Sequence, residues 1–359
     1  LAVADMNNDG WDDIYIGNDF HENDYYYINN ANGTFTESGA KHFRHYSRFS
    51  MGNDINDYNN DGQPDVVTVD MLPPDEKTLK TYGSDENPDI YNMKLTVNGY
   101  QHQVSRNCLQ RNNGNGTSFS DVALMCNVSA TDWSWAPLFA DFDNDGRKDL
   151  FVSSGIPKRP VDMDYVRFVS DQTVKKGLDF TDKYDQETID AMPEGSSHPF
   201  FFKNNTGYSF SDVSNDWGTG KMKGFYNGAA YADFDNDGDL DMVINTLEEK
   251  SLILRNNTND KKSISFSFSG DSLNRFGLGA KVYLFSKNGL QYQQLTLTRG
   301  FQSSVEPKLF FGLDTLTIVD SVLVVWPDQR CQLLKNINAG KSVEFKKADA
   351  LDMFDYTKW

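Results

Sequence analysis

The sequence predicts an all-β chain in two parts. Residues 1–260 read as blades of the β-propeller kind with helical insertions, and residues 261–346 as a small sandwich-like β domain. Three observations predict this. An Asp-rich loop of nine residues recurs four times, each copy running into a short β-type segment. An Asn-rich hairpin between aromatic strands recurs behind the loops. Past residue 262, the runs 263–269, 280–286, 291–298, 321–326 and 342–346 are apolar or alternating, with Gly, Asn and Asp between them.

The first loop is Asp5-Met6-Asn7-Asn8-Asp9-Gly10-Trp11-Asp12-Asp13, and the second is Asp57-Tyr58-Asn59-Asn60-Asp61-Gly62-Gln63-Pro64-Asp65. The third is Asp141-Phe142-Asp143-Asn144-Asp145-Gly146-Arg147-Lys148-Asp149, and the fourth is Asp233-Phe234-Asp235-Asn236-Asp237-Gly238-Asp239-Leu240-Asp241. The β-type runs that follow are 14–16, 66–69, 150–152 and 242–244. Hairpins at 25–36, 109–122 and 200–213 turn on Asn and Gly, which tolerate positive φ, and a fourth begins at 252–257. A loop, a strand and a hairpin make a unit of about four strands, the grammar of a propeller blade. Successive loops start 52, 84 and 92 residues apart. The longer spacings hold 74–105 and 157–198, which lack the repeat and read as insertions, with helical stretches at 162–176 and 185–192. Insertions in repeat proteins collect on one face, often the binding face.

The chain has 359 residues, with 34 basic and 52 acidic side chains and a net charge of −18. Its 25 Phe, 17 Tyr and 6 Trp supply core material and exclude a disordered chain. The acidity excludes nucleic-acid binding through phosphates. No apolar run approaches the ~18 residues of a membrane span. Nothing at the N-terminus reads as a signal peptide, and residue 1 falls directly into patterned sequence, so the chain is expected to be part of something longer. Of three cysteines, Cys108 and Cys126 flank a hairpin and read either as a bridge or as two buried hydrophobes.

The loops carry the strongest chemical signal. Oxygen donors at positions one, three, five and nine suit a hard cation, and calcium takes six to eight oxygens in irregular geometry. The candidate ligands are Asp5, Asn7, Asp9 and Asp13; Asp57, Asn59, Asp61 and Asp65; Asp141, Asp143, Asp145 and Asp149; and Asp233, Asp235, Asp237 and Asp241. The backbone carbonyls of Trp11, Gln63, Arg147 and Asp239 complete each set at position seven. About four Ca2+ sites are expected. An EF-hand is excluded, because position twelve holds Ile16, Thr68, Val152 and Ile244 rather than Glu, and strands follow the loops. Zinc would need Cys or His nearby. The competing reading is four metal-free Asx turns. If calcium binds, ligand charge ranks loop four tightest, then three, one and two.

The loop-plus-hairpin repeat resembles the FG-GAP/VCBS repeats of integrin-type propellers. Ser50-Met51-Gly52-Asn53-Asp54, Asp132-Trp133-Ser134-Trp135-Ala136-Pro137 and Gly228-Ala229-Ala230-Tyr231-Ala232-Asp233 resemble the subfamily that carries an ASPIC/UnbV domain. Phe276-Gly277-Leu278-Gly279-Ala280-Lys281, Arg299-Gly300-Phe301-Gln302-Ser303-Ser304, Leu309-Phe310-Phe311-Gly312-Leu313 and Asp320-Ser321-Val322-Leu323-Val324-Val325-Trp326-Pro327 resemble that domain itself. Phe310 stands where such proteins usually show His. The family is similar to vertebrate cartilage acidic protein, and this chain's phrasing is closest to long surface proteins of Bacteroidota encoded with outer-membrane nutrient-uptake genes. The resemblance implies a calcium-stabilised, non-enzymatic binding or scaffold protein, extracellular or anchored at the cell surface. Its partner would be a protein of an outer-membrane complex, or a glycan. The rival is a polysaccharide lyase or hydrolase with a calcium-assisted propeller pocket. Residues 347–359 read as a linker into further sequence.

No nucleophile elbow, P-loop, dinucleotide fingerprint or H-E-x-x-H is present, so no catalytic residues are expected. The five histidines are His21, His42, His45, His102 and His198; His42 and His45 could share a metal, but surface positions suit them better. The abundant carboxylates leave a glycosidase dyad open. The aromatic groups 25–27, Trp133 with Trp135, 200–202 and Phe225 with Tyr226 could stack on sugars, but packing between blades explains them more simply. Asn32, Asn115, Asn127, Asn204 and Asn256 begin glycosylation-type triplets that in a bacterial protein are turn residues.

Overall fold

The computed structural model describes residues 1–20, 22–83, 87–176 and 186–358. His21 and Asp185 lie outside the described residues. The first blade is an antiparallel sheet of β1 (Ala2–Ala4), β2 (Asp13–Ile16), β3 (Tyr25–Asn29) and β4 (Phe35–Glu37) in that order. A short helix, α1 (Gly39–His42), and the two-residue β5 (Tyr46–Ser47) lead to the second blade. That blade holds β6 (Gly52–Asn56) and β7 (Asp65–Val69), then, past an insertion, β9 (Cys108–Asn112) and β10 (Phe119–Asp121). The insertion contains α2 (Glu76–Thr81), α3 (Pro88–Thr96) and β8 (Gln103–Val104), which pairs in parallel with β5.

The third blade is β11 (Ser134–Ala140), β12 (Asp149–Ser154), β13 (Phe200–Asn204) and β14 (Phe210–Asp212). Its insertion carries α4 (Met163–Lys176) and α5 (Gln186–Asp190), as expected of a helical excursion between strands two and three. The fourth blade has three strands, β15 (Tyr226–Ala232), β16 (Asp241–Thr246) and β17 (Leu252–Leu254). Each Asp-rich loop joins the first two strands of its blade. The first strands pack side by side, β1 on β6, β6 on β11 and β11 on β15. Among the described residues no helix is long and apolar enough to cross a membrane.

Strand alternation explains the aromatic triplets. Phe200 and Phe202 lie in the core between blades two and three, while Phe201, one residue out of phase, lies in the core between blades three and four. Tyr26 is buried, and Tyr25 and Tyr27 stay half-buried on the opposite face, rings 5.9 Å apart. Trp135 donates to the Gly155 carbonyl at 2.9 Å and packs on Phe301.

The second domain is a sandwich. One sheet is β23–β18–β26, with β18 (Lys262–Ser269), β23 (Lys308–Asp314) and β26 (Ser342–Lys346). The other is β20–β19–β24–β25–β27, with β19 (Lys281–Ser286), β20 (Gly289–Gln294), β24 (Ile318–Val325), β25 (Arg330–Asn338) and β27 (Asp352–Met353). In β18 the alternation of Ile264, Phe266 and Phe268 with Ser turns the apolar set inward, where Phe311, Val324, Trp326 and Phe345 meet it. Residues 347–358, expected to be a linker, belong to the domain: β27 pairs with β25, and Phe354 and Tyr356 pack on Tyr283 and Tyr292. The aromatic pair gives this tail apolar surface to bury. Cys108, Cys126 and Cys331 are free and buried, so the small-hydrophobe reading holds and the bridge does not.

A hairpin of the second domain, β21 (Thr298–Arg299) and β22 (Ser303–Ser304), enters the space where the first strands of blades two, three and four meet. Arg299 is buried there. Its guanidinium grips the Asp54 carboxylate of β6 with two nitrogens, Nε at 2.7 Å. It also donates to the Tyr231 hydroxyl of β15 at 2.6 Å and to the Phe139 carbonyl of β11 at 3.0 Å. One side chain thus ties three blades to the second domain. Removing one partner of a buried pair strands the other charge, at about 3–5 kcal/mol. Arg299→Met is therefore expected to lower stability by about that much in urea unfolding. A loss below about 1 kcal/mol, the worth of an exposed pair, would show that Asp54 finds water instead.

Asp24 gives the pH prediction. Burial pushes its carboxyl up to about 7, although Asn18 N–H, Tyr15 and Ser50 all donate to it. The unfolded value is about 3.9. Between those values the folded chain holds the proton and the unfolded chain does not, so stability rises as pH falls from 8 towards 5. Asp24→Asn is expected to flatten part of that rise in melting-temperature profiles; an unchanged slope would contradict it.

Candidate metal centres

Each loop is closed by its own first aspartate. Asp5 accepts from Asp9 N–H (3.0 Å) and Gly10 N–H (2.8 Å), and Asp57, Asp141 and Asp233 do the same in their loops at 2.7–3.1 Å. The turn needs a left-handed residue at position four, where Asn8, Asn60, Asn144 and Asn236 have φ of 55–61°. Position six needs it again, and the glycines there have φ of 80–97°.

The ninth aspartate joins loop to hairpin. Asp13, Asp65, Asp149 and Asp241 accept on one oxygen from the N–H of position two, at 2.9–3.3 Å. The other oxygen accepts at 2.8–2.9 Å from the N–H of Asn29, Asn112 and Asn204, which end the third strands of their blades, and of Asn256, two residues past β17. The amide of each asparagine reaches back into its own loop. Three of the four also reach the blade before: Asn112 to the Met6 carbonyl (2.8 Å), Asn204 to Tyr58 (2.8 Å) and Asn256 to Phe142 (2.6 Å). Position four continues the chain, with Asn8, Asn60 and Asn144 donating to the Gly62, Gly146 and Gly238 carbonyls of the next loop. The four loops are one hydrogen-bonded row.

Position three divides the row into two types. In loops one and two Asn7 and Asn59 donate to the carboxylates of Asp9 and Asp61 at 2.9 and 3.0 Å. Asp143 and Asp235 have no hydrogen to give, so two carboxylates face each other in loops three and four. A basic residue just before the hairpin asparagine answers each pair. Lys203 contacts Asp143 and lies 3.6 Å from Asp145; Arg255 lies 2.7 Å from Asp235 and 3.7 Å from Asp237. Lys261 and Arg147 add to loop three.

Oxygens of positions one, three and nine converge within 4.8 Å in loop three (Asp141, Asp143, Asp149) and loop four (Asp233, Asp235, Asp241). Burial pushes Asp13, Asp57 and Asp141 up to about 7, with neighbouring loop carboxylates adding to it in each case. Burial raises Asp143 too, but hydrogen bonds from Lys203 and Lys261 outweigh it and hold that carboxyl below its usual range. The Asp239 carboxylate of loop four is buried, and neither oxygen has a well-formed hydrogen bond, although Asp237 and the Thr258 backbone lie close to it. It lies beside Asp237 and Asp241, and its carboxyl is pushed up to about 7. Sequence reasoning gave Asp239 a ligating backbone carbonyl and gave its side chain only long-range attraction; the structure buries that side chain inside the loop. Such a donor set, all oxygen and excess negative, fits a hard cation.

The second domain covers the row. Gln294 accepts from Asp5 N–H (3.0 Å) and donates to Asp12 (2.6 Å), Asp314 N–H meets the Asn144 carbonyl (2.8 Å), and Ser263 meets that of Gly238. Lys281, buried, contacts Asp5. Lys148 is buried against the Phe311 ring, 5.7 Å away, in the field of Asp141 and Asp57, while burial drives its ammonium pKa down. Sequence reading missed Lys281, Lys203, Lys261 and Arg255 as loop partners. Only the basic residue before Asn112, Asn204 and Asn256 left a legible signal.

Other candidates resolve without a ligand. His45 and His42 do not share a site: His45 lies 2.8 Å from Asp121, and His42 meets the Thr117 carbonyl. The cluster of His45, Cys108 and Asp121 is already satisfied, because Asp121 also accepts from Arg106 at 2.7 Å and from two backbone N–H groups. Phe310 is buried in the core of blades three and four.

Residues 5–68 and 84–152 match the FG-GAP-like repeat family, and residues 270–352 match the family described as ASPIC and UnbV. No curated protein matches the chain.

The hairpin asparagines make a graded prediction. Asn204→Ala deletes three buried bonds, two from its amide to the Tyr58 and Lys148 carbonyls of two blades and one that it accepts from Gly207 N–H, and is expected to cost about 1–3 kcal/mol in chemical denaturation. The Asn29 amide donates only to its own loop, at the Asp12 carbonyl (3.0 Å), so Asn29→Ala should cost less. Equal losses would show that the inter-blade bond contributes nothing.

Proposed function

Because the chain is an FG-GAP repeat protein with an ASPIC/UnbV domain, we propose that it is a non-enzymatic binding or scaffold protein of the cell surface or extracellular space, stabilised by calcium. The blades are read as part of a propeller ring, and the partner as a protein of an outer-membrane, nutrient-uptake type complex or a glycan. The observation that carries the calcium reading is loop four. Three converging carboxylates and the buried Asp239 leave negative charge there that, among the described residues, only the exposed Arg255 offsets in part. Asp233, Asp235, Asp237, Asp241 and the Asp239 carbonyl would hold the ion, with the Asp239 carboxylate as an added donor or near neighbour. The ion supplies neutralisation and rigidity; the chain supplies a preformed turn.

Loops one and three would hold calcium less tightly than charge count alone ranks them. Lys281 already answers Asp5, and Lys203 with Lys261 answers Asp143, so the ion would have to displace amines already paired there. The carboxylates at positions one and nine of all four loops are committed to turn closure and blade joining, which favours binding over catalysis.

Ligand that binds only the folded chain adds RT ln(1 + [L]/Kd) to its stability. Chelation is expected to lower the melting temperature by several degrees or more, reversed by added calcium. An unchanged melting curve with metal removal verified would sink the reading. In calorimetric titrations Asp233→Ala should abolish the tightest calcium event and Asp57→Ala should spare it; the reverse would show that site rigidity, not ligand charge, sets the order.

A further inference from the structure

Three blades own a fourth strand, and in two junctions that strand fills the gap to the blade before. β10 lays Phe119 on Phe43 at 4.3 Å and near Tyr26, in the core that also holds Met6 of loop one. β14 lays Phe210 beside Tyr58 of loop two, and its N–H donates to the Cys126 carbonyl at 3.3 Å. Blade four stops at β17. The chain that would return as its outer strand passes Asn256 and enters β18, where β23 and β26 claim it for the second domain.

The gap between blades three and four is left as a cavity of about 420 Å³, lined by Phe142, Phe201, Trp217, Leu240, Met242 and Leu254 among others. Its parts match the filled gaps. Phe142 holds loop position two, as Met6 and Tyr58 do. Trp217 closes its turn onto the Val213 carbonyl at 2.8 Å, as Cys126 closes onto Val122 at 2.8 Å. The Trp217 carbonyl therefore stands where that of Cys126 receives the incoming strand. No strand lies beyond β17 among the described residues, and Ile253 at its middle is 74% exposed.

We propose that blade four takes an extended segment of a partner polypeptide as an antiparallel fourth strand on β17, with an aromatic side chain seated in the cavity. Strand addition of this kind draws affinity from main-chain hydrogen bonds and specificity from the side-chain pocket. The sister strands state the occupant's chemistry. Residues 116–122 (GTSFSDV) and 207–213 (GYSFSDV) share a turn glycine, a phenylalanine three residues on and an aspartate two further. Their phenylalanines pair with the hairpin asparagine, Phe119 with Asn112 and Phe210 with Asn204, so the incoming aromatic pairs with Asn256. The residue after it then lies opposite Arg255, as Ser120 lies opposite Arg111. The inference rests on packing and does not depend on calcium or on a surface location.

The test uses a capped, fluorescently labelled peptide with the sequence of residues 207–213 and the whole chain. Saturable one-to-one binding is expected by anisotropy, weakened at least tenfold when the peptide's Phe is replaced by Ala. Amide exchange of residues 252–254 should slow in the unmodified chain on saturation, a readout that needs no variant. Leu254→Asp, checked for folding by its melting curve, should weaken binding at least tenfold. No saturable binding to 1 mM, equal binding of the Ala peptide, or unchanged exchange at 252–254 would each overturn the proposal. Self-association of the chain that Leu254→Asp abolishes would assign the groove to a second copy instead, and also overturn it.

Discussion

The carboxylate at position nine of each loop is the constraint on which the blades depend. Asp13, Asp65, Asp149 and Asp241 are buried, and a buried carboxyl is tolerated only where hydrogen bonds replace its water. Each finds two backbone N–H groups, one from its own loop and one from the hairpin asparagine. That choice of partners fixes where the third strand of the blade must end. The asparagine so placed turns its amide onto the carbonyl of the preceding loop, and blade spacing follows. A polar network of this kind is stable only when complete, which is why one residue type recurs at each node.

Electrostatics then decides how the two domains meet. A chain of net charge −18 that gathers its aspartates in one row needs cations close by. The second domain brings Lys281 to loop one and Arg299 to Asp54, both buried. Blade three contributes Lys203 and Lys148. Among the described residues loop four has only Arg255, whose side chain is 66% exposed, and it alone of the four loops keeps a buried carboxylate without a well-formed hydrogen bond. The capacity for a bound cation is therefore uneven along a row that looks uniform in sequence. Apolar packing is uneven too: β18 satisfies the second domain's core and leaves blade four short of a strand, because a segment alternating Ile, Phe and Phe with Ser can bury its apolar face in only one sheet.

The sequence by itself determined the repeat, the loops and the hairpins, because their information is local. An Asp-x-Asn/Asp-Asn-Asp-Gly run can close only through its own first side chain, and Asn and Gly supply the left-handed φ the turn requires. It determined most strands of the second domain through period-two alternation. It did not reveal the folded tail at 347–358 or the burial of the Asp239 side chain. Tertiary structure alone decided which charges meet. Lys281 reaches Asp5 across 276 residues and Arg299 reaches Asp54 across 245. It also decided which blade goes without its outer strand. Long-range pairing and competition between two sheets for one segment depend on how whole domains pack, and no spacing within a repeat encodes that.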